Sequence, residues 1–333
     1  MKILFVTSEF GSNGGGLSLS SERVFNYLSE RYSVQIINPK NPQVLVADGG
    51  YNQELASAIR HENDLKIDVY QYQDKDIDYV IAFGGGFNGY YASILAQRIN
   101  SSFILCLRGT DVNLAKWSSI ETFYLRESAI RSHKVVCLSR EMIENLRLID
   151  KSLCKKCVLI PNPIVGRGSV AFTAKRISSI VIGTAATHLN EKKGVANLLS
   201  LVKLAKEGGV NINLELVGEV DADLYESYVK IVNNFEISDQ ITFHGRVNRP
   251  ELSLLMKDWD LYIQASVCEG HPNSVIESLE NGISFISTRT GYIFETLHCD
   301  FPEFFFDVNT PASMLKGVLA LLNDKQLVYR SEQ

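Results

Sequence analysis

The stretch PNPIVGRGSVAFTAKRISSIVIGTAAT, residues 161–187, divides the sequence into two halves. Its first part, residues 161–176, contains two prolines and two glycines and interrupts the pattern that precedes it. Such a composition is typical of a linker between domains. Its second part, SSIVIGTAAT, is a new apolar run with which the earlier pattern restarts. The stretch therefore predicts two domains built on the same plan.

In the first half, short apolar runs alternate with segments of helical length. The segment SERVFNYLSERY places Val24, Tyr27, Leu28 and Tyr32 on one face of a helix. The apolar runs are KILFVTS, YSVQIIN, DYVIAF, SFILCLRG, HKVVCLS and CVLIPN. This alternation predicts a parallel sheet with helices on both faces.

The second half repeats the alternation. Its apolar runs are SSIVIGTAAT, INLELVG, QITFHG, DLYIQAS and ISFIST, and helices are predicted near residues 195–207, 222–235, 250–257, 274–281 and 311–323. We therefore predict two doubly wound α/β domains, residues 1–165 and 177–333, joined by a linker at 166–176. Because open α/β sheets bind ligands at the carboxyl ends of their strands, the site is expected in a cleft between the halves.

Composition limits the classes of function. The chain has 333 residues, with 33 basic and 38 acidic side chains, so its charge gives no general reason to bind nucleic acid. The start, MKILFVTSEF, is too short in its apolar part for a secretion signal or a membrane span. Six dispersed cysteines fit a reducing compartment. These features predict a cytoplasmic globular protein.

Two glutamates flank the start of a predicted helix in CEGHPNSVIE, residues 268–277. In one interpretation, Asn273 or Ser274 is the N-cap, and Ser274 and Glu277 form a capping box. In the other, backbone N–H groups from Asn273 to Val275 bind a phosphate, while Glu269 and Glu277 accept hydrogen bonds from hydroxyl groups. A nucleoside diphosphate sugar carries both kinds of group.

Two further loops follow predicted strands. THLNEKKG, residues 187–194, places Lys193 beside Gly194 at the expected cleft, where its ammonium group is either a phosphate ligand or simply solvated. SNGGGLSLS, residues 12–20, has glycines that allow either close approach to a ligand or a tight turn.

Together these motifs resemble those of the family-4 retaining glycosyltransferases, which have the two-domain glycosyltransferase B fold. The most specific part is the E-x7-E from Glu269 to Glu277, followed by LENGISFISTRTGYIFE. LELVGEV, ITFHGRV, RGTDVN, VVCLS and VLIPNPI are also similar to family motifs in order and spacing. The resemblance covers most of the chain. It implies that the first domain binds the acceptor and the second binds the nucleotide sugar.

The resemblance also implies roles for single residues. Glu269 is expected to hold the donor sugar and Lys193 to neutralise the diphosphate, both as catalytic residues, and Glu277 is expected to bind the ribose. The other implied donor contacts are His188, Val247 (through its backbone, to the base), Gly270, Asn273, Ser274 and Val275. On the first-domain side of the cleft they are Gly15, Gly16, Arg108 and Asp111.

Two positions depart from the family pattern. His188 stands where an arginine usually accompanies the lysine, which removes a permanent charge and a bidentate donor. Arg108 stands where many members have a histidine before Gly-Thr-Asp. Since a guanidinium group suits a carboxylate, we hypothesise that Arg108 contacts an acidic or strongly polar group of the sugar.

The predicted reaction is transfer of a hexosyl group, with retention, from a nucleoside diphosphate sugar to a hydroxyl of a glycan or lipid-linked saccharide. The expected setting is bacterial surface polysaccharide assembly, and neither a metal nor a cofactor is expected. One alternative is a non-catalytic sugar-nucleotide-binding scaffold. Another is an NAD(P)-dependent oxidoreductase, because GGGFNG at 84–89 with Asp111 matches a dinucleotide fingerprint. That alternative leaves Lys193 and the glutamate pair unexplained.

Two other features have competing interpretations. The D-x-D of Asp221 and Asp223 either holds a metal or begins a solvated helix. Residues 116–156 contain nine basic and five acidic side chains, together with Trp117, Phe123 and Tyr124. They predict peripheral contact with the inner face of an anionic cell membrane. In the alternative, the aromatic side chains belong to the core and the charges to a solvated face.

Overall fold

The computed structural model describes residues 1–11, 16–39, 76–162, 179–306 and 310–323. The chain divides into two compact units, Met1–Asn162 and Pro163–Gln333. The linker predicted at 166–176 lies outside the described residues, and so does Gly15.

The N-terminal unit is a parallel sheet with helical connections. Its strands are β1 Lys2–Val6, β2 Ser33–Ile37, β3 Tyr79–Phe83, β4 Ser102–Cys106, β5 Lys134–Cys137 and β6 Cys157–Leu159. Its helices are α1 Gly16–Ser29, α2 Phe87–Arg98, α3 Thr110–Ala115, α4 Ser119–Arg131 and α5 Arg140–Ile149, followed by a 3-10 turn at Lys151–Lys156. The described strands are ordered β2-β1-β3-β4-β5-β6.

Both faces of this sheet are covered, as the uninterrupted apolar runs require. Ile3 and Phe5 of β1 pack into one hydrophobic cluster, whereas Leu4 and Val6 pack into the other. Since successive side chains of a strand point to opposite faces, one short strand contributes to two cores.

The C-terminal unit repeats this architecture. Its strands are β7 Ile180–His188, β8 Ile212–Glu219, β9 Ile241–Gly245, β10 Leu261–Gln264 and β11 Phe285–Ser287. Its helices are α6 Val195–Glu207, α7 Ala222–Asn234, α8 Arg249–Met256, α9 Asn273–Glu280, α10 Gly291–Leu297 and α11 Pro311–Asn323, with 3-10 turns at Glu191–Lys193, Ser238–Gln240 and Pro302–Phe304. The described strands are ordered β11-β10-β7-β8-β9, all parallel.

The prediction of two doubly wound α/β halves is confirmed by these two parallel sheets. Central strand β7 carries Gly183, where an added Cβ atom would lie only 2.1 Å from the Trp259 ring. The missing side chain thus makes room for Trp259, whose Nε1 donates to Glu215 Oε2 at 2.6 Å. Among the described helices, none has the length and apolar character needed to span a membrane.

Candidate functional site

The carboxyl ends of β7 and β10 lie side by side in the C-terminal sheet, and the loops that follow them meet. Gly194 adopts a left-handed conformation, with φ of 69°, and an added Cβ atom there would lie 2.3 Å from the Ala265 carbonyl oxygen. Val267 N donates to Lys192 O at 2.9 Å. Only glycine tolerates both the conformation and this approach. The β7 loop is therefore held against the end of β10.

This approach brings Lys193 to Glu269. Lys193 Nζ lies 2.7 Å from Glu269 Oε1, and the two side chains are 26% and 12% exposed. Burial opposes both charges, but the attraction between the groups prevails: the pKa of Lys193 is raised and the pKa of Glu269 is lowered. The Ser266 side chain is also hydrogen-bonded to Glu269. The site therefore contains a largely buried, charged pair at neutral pH.

Helix α9 begins beside this pair, one residue earlier than the sequence pattern indicates. Its N-cap is Pro272, which makes no side-chain capping bond. The Ser274 side chain is instead hydrogen-bonded to the buried Tyr262. The predictions of Asn273 or Ser274 as N-cap, and of a capping box with Glu277, are therefore wrong. Because the first turn carries no acidic residue, the positive end of the helix dipole is not offset there.

The loop between Glu269 and α9 is fixed from a second side. Gly291 has φ of 69°, and an added Cβ atom would lie 2.7 Å from the Gly270 carbonyl oxygen. Tyr292 N donates to Gly270 O at 2.9 Å, and the Tyr292 ring lies 5.0 Å from that of His271. The predicted donor residue Gly270 thus belongs to a rigid loop.

The other predicted donor residues differ in accessibility. Val275 is fully buried, backbone included, so no part of it is accessible to a ligand in this structure. Glu277 is half-buried in α9, and Val247 is half-buried between β9 and α8. His188, at the exposed end of β7, has its Nδ1 atom 3.9 Å from Glu219 Oε2. The described contacts of His188 therefore involve this carboxylate and not Lys193.

In the N-terminal unit, Asp111 joins two loops at the carboxyl ends of β3 and β4. Its carboxylate accepts backbone N–H groups from Gly85 at 2.8 Å, Arg108 at 3.0 Å, and Gly109 and Val112 at 2.9 Å each. A carboxylate that is bonded to this extent holds backbone in place. Its role in this structure is to organise the loops.

The glycine run after β3 has a packing explanation. An added Cβ atom at Gly85 would lie 2.4 Å from Leu107 Cδ2 and 2.8 Å from Leu125 Cδ1. At Gly86 it would lie 2.8 Å from Glu121 Oε2. At Gly89 it would lie 2.9 Å from Leu105 Cδ1, so contact with neighbouring side chains explains Gly86 and Gly89, two of the three fingerprint glycines. Moreover, the acidic residue needed for a ribose, Asp111, is occupied by backbone N–H groups.

Arg108, which is hypothesised to contact the sugar, is half-buried and already has partners in the N-terminal unit. Its guanidinium group lies 4.2 Å from the centre of the Phe83 ring, and its Nη2 donates to Asn162 Oδ1. Burial lowers the pKa of Arg108 to about 10, although Cys106 and Asp111 act in the opposite direction. The guanidinium group therefore stays charged at neutral pH. Its partner Asn162 is the last residue of the N-terminal unit.

Gly16 is the first residue of α1. The start of this helix is bonded to the loop after β1: Ser18 Oγ donates to Gly11 O at 2.7 Å and Ser21 Oγ donates to Glu9 O at 2.6 Å. The start of α1 therefore lies at the carboxyl end of β1.

The aromatic residues of the predicted membrane surface separate into two groups. Tyr124 is buried, and Phe123 packs against the same core. Trp117, between α3 and α4, is 85% exposed. Arg126 is paired with Glu127 and Asp150. The core interpretation therefore applies to Tyr124 and Phe123, whereas Trp117 lies on the surface.

The D-x-D residues flank the start of α7, where both Asp221 and Asp223 are exposed. Asp221 is the N-cap residue and Asp223 lies in the first turn. Within the described ranges, no group of three or more His, Cys, Asp or Glu side chains is arranged to hold a metal ion.

Sequence patterns did not single out three residues of strand β10 and the loop that follows it. Tyr262 Oη donates to Ala185 O at 3.2 Å and is bonded to Ser274. Ser266 is bonded to Glu269, and Gln264 lies between Tyr262 and Ser266, 3% exposed. The available signal was a polar residue in the strand DLYIQAS, where apolar residues are expected.

The chain is similar to known glycosyl transferases. Residues 181–332 match the family model described as glycosyl transferases group 1. Protein CapJ of Staphylococcus aureus is 21% identical over 260 residues, which is 73% of this chain and 62% of that protein. The uncharacterized glycosyltransferase MJ1178 of Methanocaldococcus jannaschii is 22% identical over 273 residues, 80% of this chain and 71% of that protein. The match thus spans less than two thirds of CapJ.

Among solved structures, Anabaena HepE in complex with UDP and glucose superposes with a TM-score of 0.73 at 14% identity, covering 100% of this chain and 94% of that one. An identity this low shows the fold alone. The chain has the glycosyltransferase B fold, and residues 181–332 of its C-terminal unit are similar to group 1 glycosyl transferases.

Proposed function

We propose that the protein is a retaining, metal-independent hexosyltransferase of family 4. It transfers a hexosyl group from a nucleoside diphosphate sugar to a hydroxyl of a glycan or lipid-linked saccharide. The family match of the C-terminal unit supports glycosyl transfer, and the residue geometry supports the finer assignment. The observation that carries the proposal is the Lys193–Glu269 pair beside the start of α9.

The pair offers complementary partners to the two halves of a donor. A diphosphate can replace Glu269 as the partner of the Lys193 ammonium group, with the α9 N-terminus as a second source of attraction. Glu269 then becomes available to sugar hydroxyls, which donate hydrogen bonds to carboxylates. Donor binding thus replaces the Lys193–Glu269 ion pair with two new contacts: Lys193 with the diphosphate, and Glu269 with sugar hydroxyl groups.

In the proposed reaction, the bond between the anomeric carbon and the diphosphate oxygen breaks, and the acceptor oxygen bonds to the same face of the carbon. The acceptor hydroxyl proton passes to the departing diphosphate. Positive character builds at the anomeric carbon, while negative charge develops on the leaving group. Lys193 and the helix end stabilise that charge, which is the main expected catalytic contribution.

The partners follow from the same assignment. HepE is described in complex with UDP and glucose, so we propose uridine diphosphate sugars as the first donors to test. The N-terminal unit is proposed to bind the acceptor in surface polysaccharide assembly. The exposed Trp117 is proposed to contact the inner face of the cell membrane.

Thermal unfolding with a panel of nucleoside diphosphate sugars tests the proposal, since a ligand that binds only the folded state raises Tm. At least one sugar nucleotide should raise Tm and, with a saccharide acceptor, release nucleoside diphosphate. A panel without any Tm change would contradict donor binding. Stabilisation without turnover across all acceptors would favour the non-catalytic scaffold.

A further inference from the structure

Gln264 is the last residue of β10, a strand that lies between β7 and β11. Its side chain is 3% exposed. Neither its Oε1 nor its Nε2 atom has a hydrogen-bond partner among the described residues. An unbonded, buried amide is costly, because both polar atoms have lost contact with water. Such a group in a folded protein requires an explanation.

Two sequence neighbours of Gln264 contact the candidate donor site. Two residues before it, Tyr262 is bonded to Ser274 at the start of α9. Two residues after it, Ser266 is bonded to Glu269. Because alternate residues of a strand share a face, Gln264 and Tyr262 emerge on the same side of β10. Gln264 thus shares a strand face with Tyr262 and precedes Ser266 by two residues, and both of these polar residues contact the site.

A plain structural role does not account for this amide. The other comparably buried glutamine of the C-terminal unit, Gln240, is 6% exposed. Its Oε1 also lacks a partner in the described part of the chain, but its Nε2 donates to Ile212 O at 3.0 Å. The Gln240 side chain is therefore anchored to the backbone. Gln264 makes no such bond within the described residues.

We propose that Gln264 is a donor-specificity residue whose amide hydrogen-bonds a hydroxyl group of the transferred sugar. This inference rests on the proposed function, because it places the sugar beside Glu269. A glutamine side chain has three rotatable bonds, so a change of rotamer can turn the amide toward a ligand without backbone movement. The hydrogen bond missing in the free protein then forms in the complex.

The chemistry of the amide favours a sugar hydroxyl over a phosphate. An amide offers one acceptor and one donor group, and a hydroxyl group both donates and accepts. A fully ionised phosphate oxygen only accepts, so it could satisfy Nε2 but not Oε1. Gln264 should therefore distinguish a nucleoside diphosphate sugar from the nucleoside diphosphate alone.

Calorimetric titration of wild type and Gln264→Leu with UDP-glucose and with UDP tests the proposal. Gln264→Leu should weaken UDP-glucose binding about five- to tenfold, the value of one hydrogen bond, and leave the Kd for UDP unchanged. Its free-state Tm should stay the same or rise by a few degrees, because the unbonded amide is gone. If UDP-glucose does not bind, the sugar nucleotide with the largest Tm effect and its own diphosphate replace the two probes.

Gln240→Leu is the matched control, and it should lower Tm without changing discrimination between UDP-glucose and UDP. A lowered Tm for Gln264→Leu with unchanged sugar discrimination would make Gln264 a structural residue and overturn the inference alone. Equal weakening of both ligands would also overturn it. Absence of binding by wild type to any sugar nucleotide would overturn the proposed function, and the inference with it.

Discussion

Lys193 and Glu269 lie 76 residues apart in the sequence, yet their charged atoms are 2.7 Å apart. The contact depends on two glycines, because Gly194 and Gly291 let the β7 and α10 loops approach the residues around Glu269. Each charged group compensates the buried charge of the other. Since a diphosphate and a sugar hydroxyl could replace the two partners, the pair is suited to exchange on donor binding.

Replacing Lys193 tests its role in turnover. Lys193→Met should lower the transferase rate by on the order of 10² or more, because a cation facing the leaving group is lost. Initial rates are measured by release of nucleoside diphosphate. The control is Lys203→Met, which removes an exposed lysine paired with Glu207 at 3.6 Å and should leave the rate unchanged. Near-normal turnover of Lys193→Met would mean that the diphosphate lies elsewhere.

The lowered pKa of Glu269 makes stability depend on pH. The ion pair contributes fully above the unfolded value of 4.5, and the contribution is lost as pH falls through the lower folded pKa. At pH 7, Glu269→Gln should reduce the free energy of unfolding by about 2–3 kcal/mol, because a largely buried lysine loses its partner.

Urea unfolding at several pH values measures this effect. The difference between wild type and Glu269→Gln should shrink as pH falls below about 4.5. Glu207→Gln, in an exposed pair, should cost less than about 0.5 kcal/mol at any pH. A pH-independent difference for Glu269→Gln would show that the carboxylate charge does not stabilise the fold.

The packing role of the glycine run is tested at Gly85. Gly85→Ala should destabilise the N-terminal unit by about 1–3 kcal/mol, because the new methyl group overlaps Leu107 and Leu125. Gly208→Ala is the control, since its φ is −82° and its nearest contacts are 3.4 Å away. It should be neutral or stabilising by up to about 1 kcal/mol. A stable Gly85→Ala variant would contradict the packing explanation.

Glu121 is expected to oppose folding at neutral pH. Burial and, to a lesser degree, Asp111 raise its pKa above 4.5. Between pH 4.5 and the higher folded pKa, the folded state therefore binds more protons than the unfolded state. The free energy of unfolding consequently falls as pH rises through this range. Glu121→Gln should raise Tm at pH 7 by about 1–2 °C and remove this decline.

Glu127→Gln, on the same helix, is the control, and it is not expected to raise Tm. Glu127 is paired with Arg126 and Arg131 at 3.4 and 3.3 Å, so its replacement should leave Tm unchanged or slightly lower. A drop in Tm for Glu121→Gln at pH 7 would contradict the assigned cause of the pKa shift.

Contact with a membrane is tested by flotation. Wild type should bind vesicles that contain anionic lipid at physiological salt, and Trp117→Ala should bind them several-fold less, because an exposed indole suits the interface. Phe123→Leu, at a residue packed against the core, should leave binding unchanged. Wild type that stays unbound would end the membrane proposal.

Much of the fold was predictable because periodicity determines it. Helix α6 and helix α11 have the predicted bounds, Val195–Glu207 and Pro311–Asn323, since apolar residues at helical spacing reflect burial on one face. The start of α9 was misplaced by one residue. Local capping rules assign Asn273 or Ser274 to the N-cap, but the Ser274 hydroxyl is bonded to Tyr262 of strand β10. Local sequence pattern does not encode such a contact.

The candidate site was predictable only in part. The resemblance singled out Lys193 and Glu269, but their direct pairing depends on how the β7 and β10 loops pack. The contacts of Arg108 with Phe83 and Asn162 come from three-dimensional packing, which the sequence pattern does not encode. Gln264 carried one sequence signal, a polar residue in a strand, but its importance depends on burial and bonding that only the structure gives.

The most direct test of the central claim is calorimetric measurement of the Kd for the nucleoside diphosphate of the active donor, in wild type and in Lys193→Met. Loss of a charge-assisted contact should weaken binding at least about tenfold, whereas Lys203→Met should bind as wild type does. An unchanged Kd in a folded Lys193→Met protein would contradict the claim that Lys193 and the start of α9 receive the diphosphate.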